Sequence, residues 1–317
     1  NCIGTTVGAQ IISYRKAVLI MAFFVILGGV LQGHHVMKTV GKGIVISQSD
    51  VYEEHHGEEA GPEFRAYFPD NRLPDKAILV ALLSAGFFVT LATFSSIPVS
   101  TSQAIVGGVA GVGIGIVGFN ATYFKLAVLL KIFSAWVVSP ILTMILAFIL
   151  YYLLGLLLKR ARSIVWSQVM AVAVVISAAY VSYSLGANDV GNAIGPLLSK
   201  YPDKGVWLAV LGGVAMAVGA MTFGARVTDT VGKSITPLDY GGALSAQLAA
   251  AFGVHLFSMA GIPVSTSQAV VGGVIGVGLT KGMKAVSTGK ISTIFLGWVI
   301  TPTCAAIFAA VVYRLVA

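Results

Sequence analysis

Two hexapeptides of identical sequence, PVSTSQ at 98–103 and again at 263–268, carry six hydroxyls: Ser100, Thr101 and Ser102 in the first, Ser265, Thr266 and Ser267 in the second. Proline is tolerated in the first turn of a helix, where its missing N–H would go unpaired anyway. Serine and threonine are preferred caps just ahead of that turn. Each hexapeptide therefore predicts a helix that restarts near its proline and offers free backbone N–H groups, the positive end of its dipole and hydroxyl donors. Such an end binds a compact oxyanion without any lysine or arginine. Serine and threonine in apolar helices also bond to their own backbone or to a neighbouring helix, and one hexapeptide alone would be read that way. Two identical copies at equivalent places favour a ligand site.

A second motif, GANDVGNAIG at 186–195, places Asp189 at the end of a long apolar stretch. A carboxylate at membrane depth costs at least ~2.5–3.5 kcal/mol unless it is compensated. No lysine or arginine lies within a helical turn of Asp189, so its partner is a bound cation, a proton, or donors from Asn188, Asn192 and the PVST hydroxyls. Carboxylate and amide oxygens are hard ligands suited to alkali and alkaline-earth ions. Gly186, Gly191 and Gly195, with Pro196 beyond them, predict a break in the helix where backbone carbonyls join the coordination. Gln103 and Gln268, which end the two hexapeptides, suit either a cation or an interhelical hydrogen bond. A cation beside two anion-binding helix ends offsets both charges, which is the physical basis of symport.

The elements that must hold these residues are membrane helices. Of 317 residues, 57% are hydrophobic and 10% charged, against roughly 45–50% and about 25% in a soluble domain. Apolar runs of about 20 residues, enough to cross a ~30 Å hydrocarbon layer, recur throughout, so the fold class is an all-α polytopic membrane protein at the cell membrane. The formal charge of +8 implies no nucleic-acid partner, because the cations sit singly at the ends of apolar runs, as membrane anchors do. Cys2 and Cys304 form no disulfide or metal pattern, and no His, Cys or carboxylate pair has the spacing of a catalytic centre, so the chain is not expected to be an enzyme.

The chain also matches itself. TVGKGI at 39–44 pairs with TVGKSI at 230–235, an offset of 230 − 39 = 191, and SIPVSTSQ at 96–103 pairs with GIPVSTSQ at 261–268, an offset of 261 − 96 = 165. The difference, 191 − 165 = 26, is extra sequence in the first copy, within a stretch at 46–76 that holds eight of the twelve acids. Residues 1–158 form the first repeat, 159–163 a basic loop and 164–317 the second repeat. Five helices per copy is an odd number, so the second copy is expected to enter the membrane from the opposite side, with interrupted half-helices at the midplane, the inverted-repeat plan of secondary transporters. Carried back, the larger offset sets Asn1 on Asn192, so the first copy is expected to begin inside its own GAND-like motif, lacking one helix, and Asn1 becomes a cation ligand candidate.

By the positive-inside rule the loop at 159–163 is cytoplasmic and the acidic stretch lies outside. Lacking apolar periodicity, that stretch reads as solvated and mobile, and His55 and His56 within it as part of a solvated charge run rather than a metal site. The glycines of VGGVAGVGIG and VGGVIGVG read as close helix packing. Arg226 and Asp229 read as an i, i+3 structural tie.

GANDVGNAIG, the doubled PVST motif and TVGKSITPLD at 230–239 together resemble the inorganic phosphate transporter (PiT) family. The resemblance implies a secondary active symporter moving inorganic phosphate with a cation, sodium first with a proton as the other choice of coupling ion, no further cofactor, and a homodimer in the lipid bilayer. It places Asn188, Asp189 and Asn192 at the phosphate and sodium sites, with Asn1 as the partner from the first copy. Ser100, Thr101, Ser102, Ser265, Thr266 and Ser267 match the phosphate-cradling half-helix ends. Many members read STTH where this chain reads STSQ in both copies. The other functions weighed are a sulfate or related oxyanion permease and an anion channel. Phosphate is favoured on chemistry, since near neutral pH it carries a P–OH that an anionic Asp189 accepts, whereas sulfate has no proton to donate.

Overall fold

The computed structural model describes residue 7 and residues 12–95, 99–158, 164–223, 238–282 and 288–317. Asn1, Pro98, the basic loop and the Arg226 and Asp229 pair lie outside the described residues, as does Lys233. Every regular element is helical. The first copy supplies α1 (Tyr14–Gln32), α2 (His34–Lys42), α3 (Ser49–His56), α4 (Pro62–Tyr67), α5 (Asp75–Phe94), α6 (Thr101–Val117) and α7 (Leu126–Leu158). The second supplies α8 (Ile164–Leu185), α9 (Gly191–Leu198), α10 (Gly205–Phe223), α11 (Tyr240–Met259), α12 (Thr266–Thr280) and α13 (Thr288–Val316). Among the described residues, seven helices are long and apolar enough to cross a membrane. The protein is a multi-pass membrane protein.

The order in which helices meet follows from where glycine lets backbones touch. A Cβ on Gly107 or Gly111 of α6 would collide with the carbonyls of Pro302 and Ala306 on α13. At the equivalent places on α12, Gly272 and Gly276 meet the carbonyls of Pro140 and Met144 on α7. Gly108 and Gly273 make the same approach to Ala81 on α5 and Ala246 on α11, where a Cβ would stand 2.6 and 2.7 Å from the carbonyl oxygens. Each short helix therefore packs on the helix before it and on the long last helix of the other copy, through the small-residue faces that membrane helices use in place of a hydrophobic driving force. The outer faces of α7 and α13 stay apolar and exposed, as at Leu130, Val137 and Val299, which suits contact with lipid.

Contacts sort the helix ends onto two sides. Lys200 pairs with Asp75, Lys76 Nζ donates to the Val316 carbonyl, and Val45 bridges Phe124, all at one end. At the other, Tyr14 Oη donates to the Ala220 carbonyl, and Asp239 accepts from Tyr151 and Lys281. Thus α5 starts at the first end and α11 at the second. The far end of α5 stacks Phe94 edge-on to Phe223 at 5.6 Å.

The acidic stretch departs from the solvated, mobile loop expected of it. It forms α3 and α4, with Phe64, Phe68 and Leu73 buried beneath them. Tyr52, Phe64 and Phe68 pack their rings around Tyr123. A few aromatics gathered from both sides of the gap in sequence supply the core that local periodicity does not reveal. The acids themselves, from Asp50 to Glu63, lie on the exposed side.

Candidate functional site

The helix starts at the two hexapeptides are equivalent. Ser100 caps α6 by accepting from the Gln103 N–H at 3.1 Å, and Ser265 caps α12 from Gln268 N–H at 3.1 Å. The first helical residues are Thr101 and Thr266, so Pro263 sits in extended chain ahead of the cap rather than at the first helical position. The cap consumes the hydroxyls of Ser100 and Ser265, and leaves the backbone N–H groups of Thr101, Ser102 and Thr266 without intrahelical partners.

Extended backbone at membrane depth must still find partners. It finds them across the two copies. Ser102 Oγ donates to the Val264 carbonyl at 2.5 Å, and its equivalent Ser267 donates to the Val99 carbonyl at 2.8 Å. Asn188 closes the arrangement like a strand neighbour, its Nδ2 donating to the Val264 carbonyl at 2.6 Å while its Oδ1 accepts from the Val264 N–H at 3.1 Å. Trp136 Nε1 donates to the Pro263 carbonyl at 3.1 Å. Trp136 and Val264 were not singled out from sequence as site residues. The recurrence of WVVSP at 136–140 as WVITP at 298–302 was the signal that could have found the indole.

Asp189 sits in this seam. GANDV forms a single π turn, Gly186–Val190, through which α8 continues directly into α9. The expected break is therefore a widening. Carbonyls are not released into a gap, but the turn swings Asp189 and Asn192 to one side, a recurrent use of π turns at functional sites. Asp189 and Asn192 are both buried. Asp189 Oδ1 accepts from Asn188 Nδ2 at 2.5 Å, from Thr266 Oγ1 at 3.3 Å and, at the long limit of 3.4 Å, from Ser102 Oγ. Ser102 Oγ in turn accepts from Asn192 Nδ2 at 2.6 Å and Asn188 Nδ2 at 3.3 Å. Among the described residues no lysine or arginine pairs with Asp189, and its Oδ2 receives no donor.

The structure thus brings Asn188, Asp189, Asn192, Ser102, Thr266 and, through the Val99 carbonyl, Ser267 together. Thr101 is half-buried, and Gln103 and Gln268 lie further into their helices. Their Oε1 atoms, together with Asn192 Oδ1, are buried acceptors with no partner among the described residues. Both glutamines open onto a cavity of about 560 Å³ walled by Trp136, Pro140, Trp298 and Pro302. Among the described residues no cluster of three His, Cys, Asp or Glu side chains offers a transition-metal site.

A multi-pass helical bundle with two donor-rich helix starts meeting a buried carboxylate defines a membrane transporter for a small oxyanion. The whole-chain comparison agrees: residues 1–309 match the model of the phosphate transporter family, and the chain belongs to that family. It is 27% identical to "Putative phosphate permease TK2061" of Thermococcus kodakarensis, over 99% of this chain and 92% of that protein. It is 28% identical to "Putative phosphate permease MJ0630" of Methanocaldococcus jannaschii, over 100% and 91%. A solved structure described as "The sodium-dependent phosphate transporter" superposes with a TM-score of 0.80 at 27% identity, covering 99% of this chain and 92% of that one.

Proposed function

We propose that this chain is a secondary active symporter that moves inorganic phosphate together with a cation, sodium in the first instance, by rocking one inverted repeat against the other. The observation that carries this reading is the pairing of a buried Asp189, which has no lysine or arginine partner among the described residues, with the starts of α6 and α12. Backbone N–H groups of the two first turns, with the hydroxyl-rich shell around them, suit the phosphate oxygens. Asp189 Oδ2, which receives no donor among the described residues, suits the phosphate P–OH. Sulfate lacks that proton and would meet only repulsion, and a site built around a hydrogen bond rejects the analogue that cannot make it.

The same site explains coupling. Asp189 and the donor-rich helix ends leave acceptors but no cation: Asn192 Oδ1, Gln103 Oε1 and Gln268 Oε1 are buried and unpaired among the described residues. Acceptor-only oxygen sets are what a hard alkali cation takes. These residues, with Asp189 and with Asn1 outside the described region, are the proposed sodium ligands, and a proton on Asp189 is the alternative coupling. The sodium dependence stated for the solved relative supports sodium. The protein is proposed to act as a homodimer in the bilayer, without a further cofactor and without chemical conversion of its substrate.

Uptake of labelled phosphate by proteoliposomes of the full-length protein tests this. Uptake should rise with an inward sodium gradient and be left intact by excess sulfate. Uptake indifferent to sodium and proton gradients sinks symport; abolition by sulfate moves the site to a broader oxyanion permease.

A further inference from the structure

Helix α2 has two faces of opposite character. Val36, Met37, Val40 and Gly41 are buried, while His34, His35, Lys38 and Lys42 are exposed along one stripe. The buried side lies on α9, the helix that leaves the π turn of Asp189, with Gly41 against the Gly195 carbonyl. A second neighbour is the segment that leads into the start of α12. A Cβ on Gly261 would stand 3.2 Å from the His35 carbonyl oxygen and 3.3 Å from Thr39 Oγ1. The stripe therefore lies beside the two elements that build the site, α9 and the segment leading into α12.

Charge around the stripe is unevenly placed. The acidic stretch at the same end exposes Asp50, Glu53, Glu54, Glu58, Glu59 and Glu63. Among the described residues none of these acids pairs with His34, His35, Lys38 or Lys42. The two imidazoles stack at 3.9 Å. Partial burial, with His35 and Lys38 alongside, holds His34 below its ordinary value. At the equivalent positions the second copy has Ala225, Arg226, Asp229 and Lys233, a sequence with one more acid and one fewer histidine pair.

An anion moving to the site past an acidic surface is repelled unless one lane is positive. Accordingly, and resting on the phosphate reading above, we propose that the stripe His34, His35, Lys38 and Lys42 is an entry station that draws free inorganic phosphate from the outer solution toward the start of α12. Phosphate groups also sit on lipid heads, and basic residues at a membrane boundary commonly anchor to them. The position of this stripe against Gly261 and α9, rather than on the lipid-facing α7 or α13, assigns it to the free ion.

Lys38→Glu/Lys42→Glu in the full-length protein, reconstituted in vesicles of zwitterionic lipid, provides the test. A unit charge ~10 Å from the path in water is worth about twofold in local anion concentration, so two reversals should raise the KM for phosphate about tenfold. The maximal rate should stay unchanged, the difference should collapse at high ionic strength as screening takes over, and Lys38→Arg/Lys42→Arg should behave as the wild type. An unchanged KM overturns the proposal, as does a KM shift that survives high salt or a loss confined to the maximal rate, both marks of a structural role. An effect seen only in vesicles of anionic lipid assigns the stripe to lipid heads and also overturns it. Wild-type protein that takes up no phosphate at all overturns the functional reading and this inference with it, whereas normal wild-type uptake with indifferent variants removes this inference alone.

Discussion

The two PVSTSQ helices have the same sequence over six residues and do different work. Their packing is equivalent, glycine for glycine, and so are their caps at Ser100 and Ser265. Among the described residues their hydroxyls meet different partners. Ser102 joins Val264, Asn188, Asn192 and the edge of Asp189, while Ser267 reaches the Val99 carbonyl. Thr266 bonds to Asp189 and Thr101 does not. Identical local sequence fixes the helix start, and the neighbours decide what the start binds. The neighbour among the described residues is the GANDV turn, which meets the two starts through Ser102 and Thr266.

The equivalent half of this comparison should show the largest effects. Gly107→Leu and Gly272→Leu each push a branched side chain into a backbone carbonyl, of Pro302 and Pro140 respectively. Overpacking of that kind costs about 3 kcal/mol, and the two variants should lose thermal stability in detergent to the same degree. A large loss in one and none in the other would show that the two interfaces are not alike.

Asp189→Asn comes next and belongs to the unequal half. It keeps the shape but removes the charge that accepts from Thr266 and Ser102 and, on the proposed function, from the phosphate P–OH. A hydrogen bond to a charged group is worth about 1.5–3 kcal/mol, so phosphate uptake should fall by up to about a hundredfold while the protein still folds. Uptake that tolerates the change would return sulfate or a related anion to the site.

Ser102→Ala and Ser267→Ala then set the copies directly against one another. Removing Ser102 leaves the buried amide of Asn192 without its acceptor, a cost of about 1–3 kcal/mol, so the KM for phosphate should rise about tenfold. Removing Ser267 takes one donor from Val99 and should move KM about twofold. Equal effects would mean that the equivalence of the helices extends to the ligand.

How much of this was legible in the sequence depends on the range of the interaction. The helix starts were visible because capping is local, and the end of α7 at Leu158 and of α8 at Leu185 followed from apolar run lengths. The close packing of Gly107 and Gly272 followed from small-residue spacing, although the partner helix did not. The π turn at GANDV was read as a break, because glycine and proline signal an interruption without saying whether the helix resumes in line. The folded acidic stretch was missed, since Phe64, Phe68 and Tyr123 meet only after α5 and α6 have brought residues 46–76 and 118–125 together. The pairing of Asn188 with the Val264 backbone lies 76 residues apart in sequence, and nothing local announces it.

The smallest effect is expected where the two copies are tied at the surface. Lys200, in the turn after α9, pairs with Asp75 at the start of α5, and so links the second copy to the first. The hydrogen bond to Asp75 raises the Lys200 ammonium above its ordinary 10.5. A cation whose folded value is raised stabilises the fold below the unfolded value, and the contribution is lost as pH rises through the folded one. Exposed pairs of this sort contribute little, so Lys200→Met should give the slightest drop in melting temperature of the set at neutral pH. That drop should shrink only as pH rises through the raised folded value, beyond the ordinary 10.5, where the folded wild type loses its own ammonium. A difference that persists unchanged at high pH would place the role of Lys200 in packing of its stem on Tyr201, over whose ring the ammonium lies at 5.5 Å, rather than in the tie between the copies.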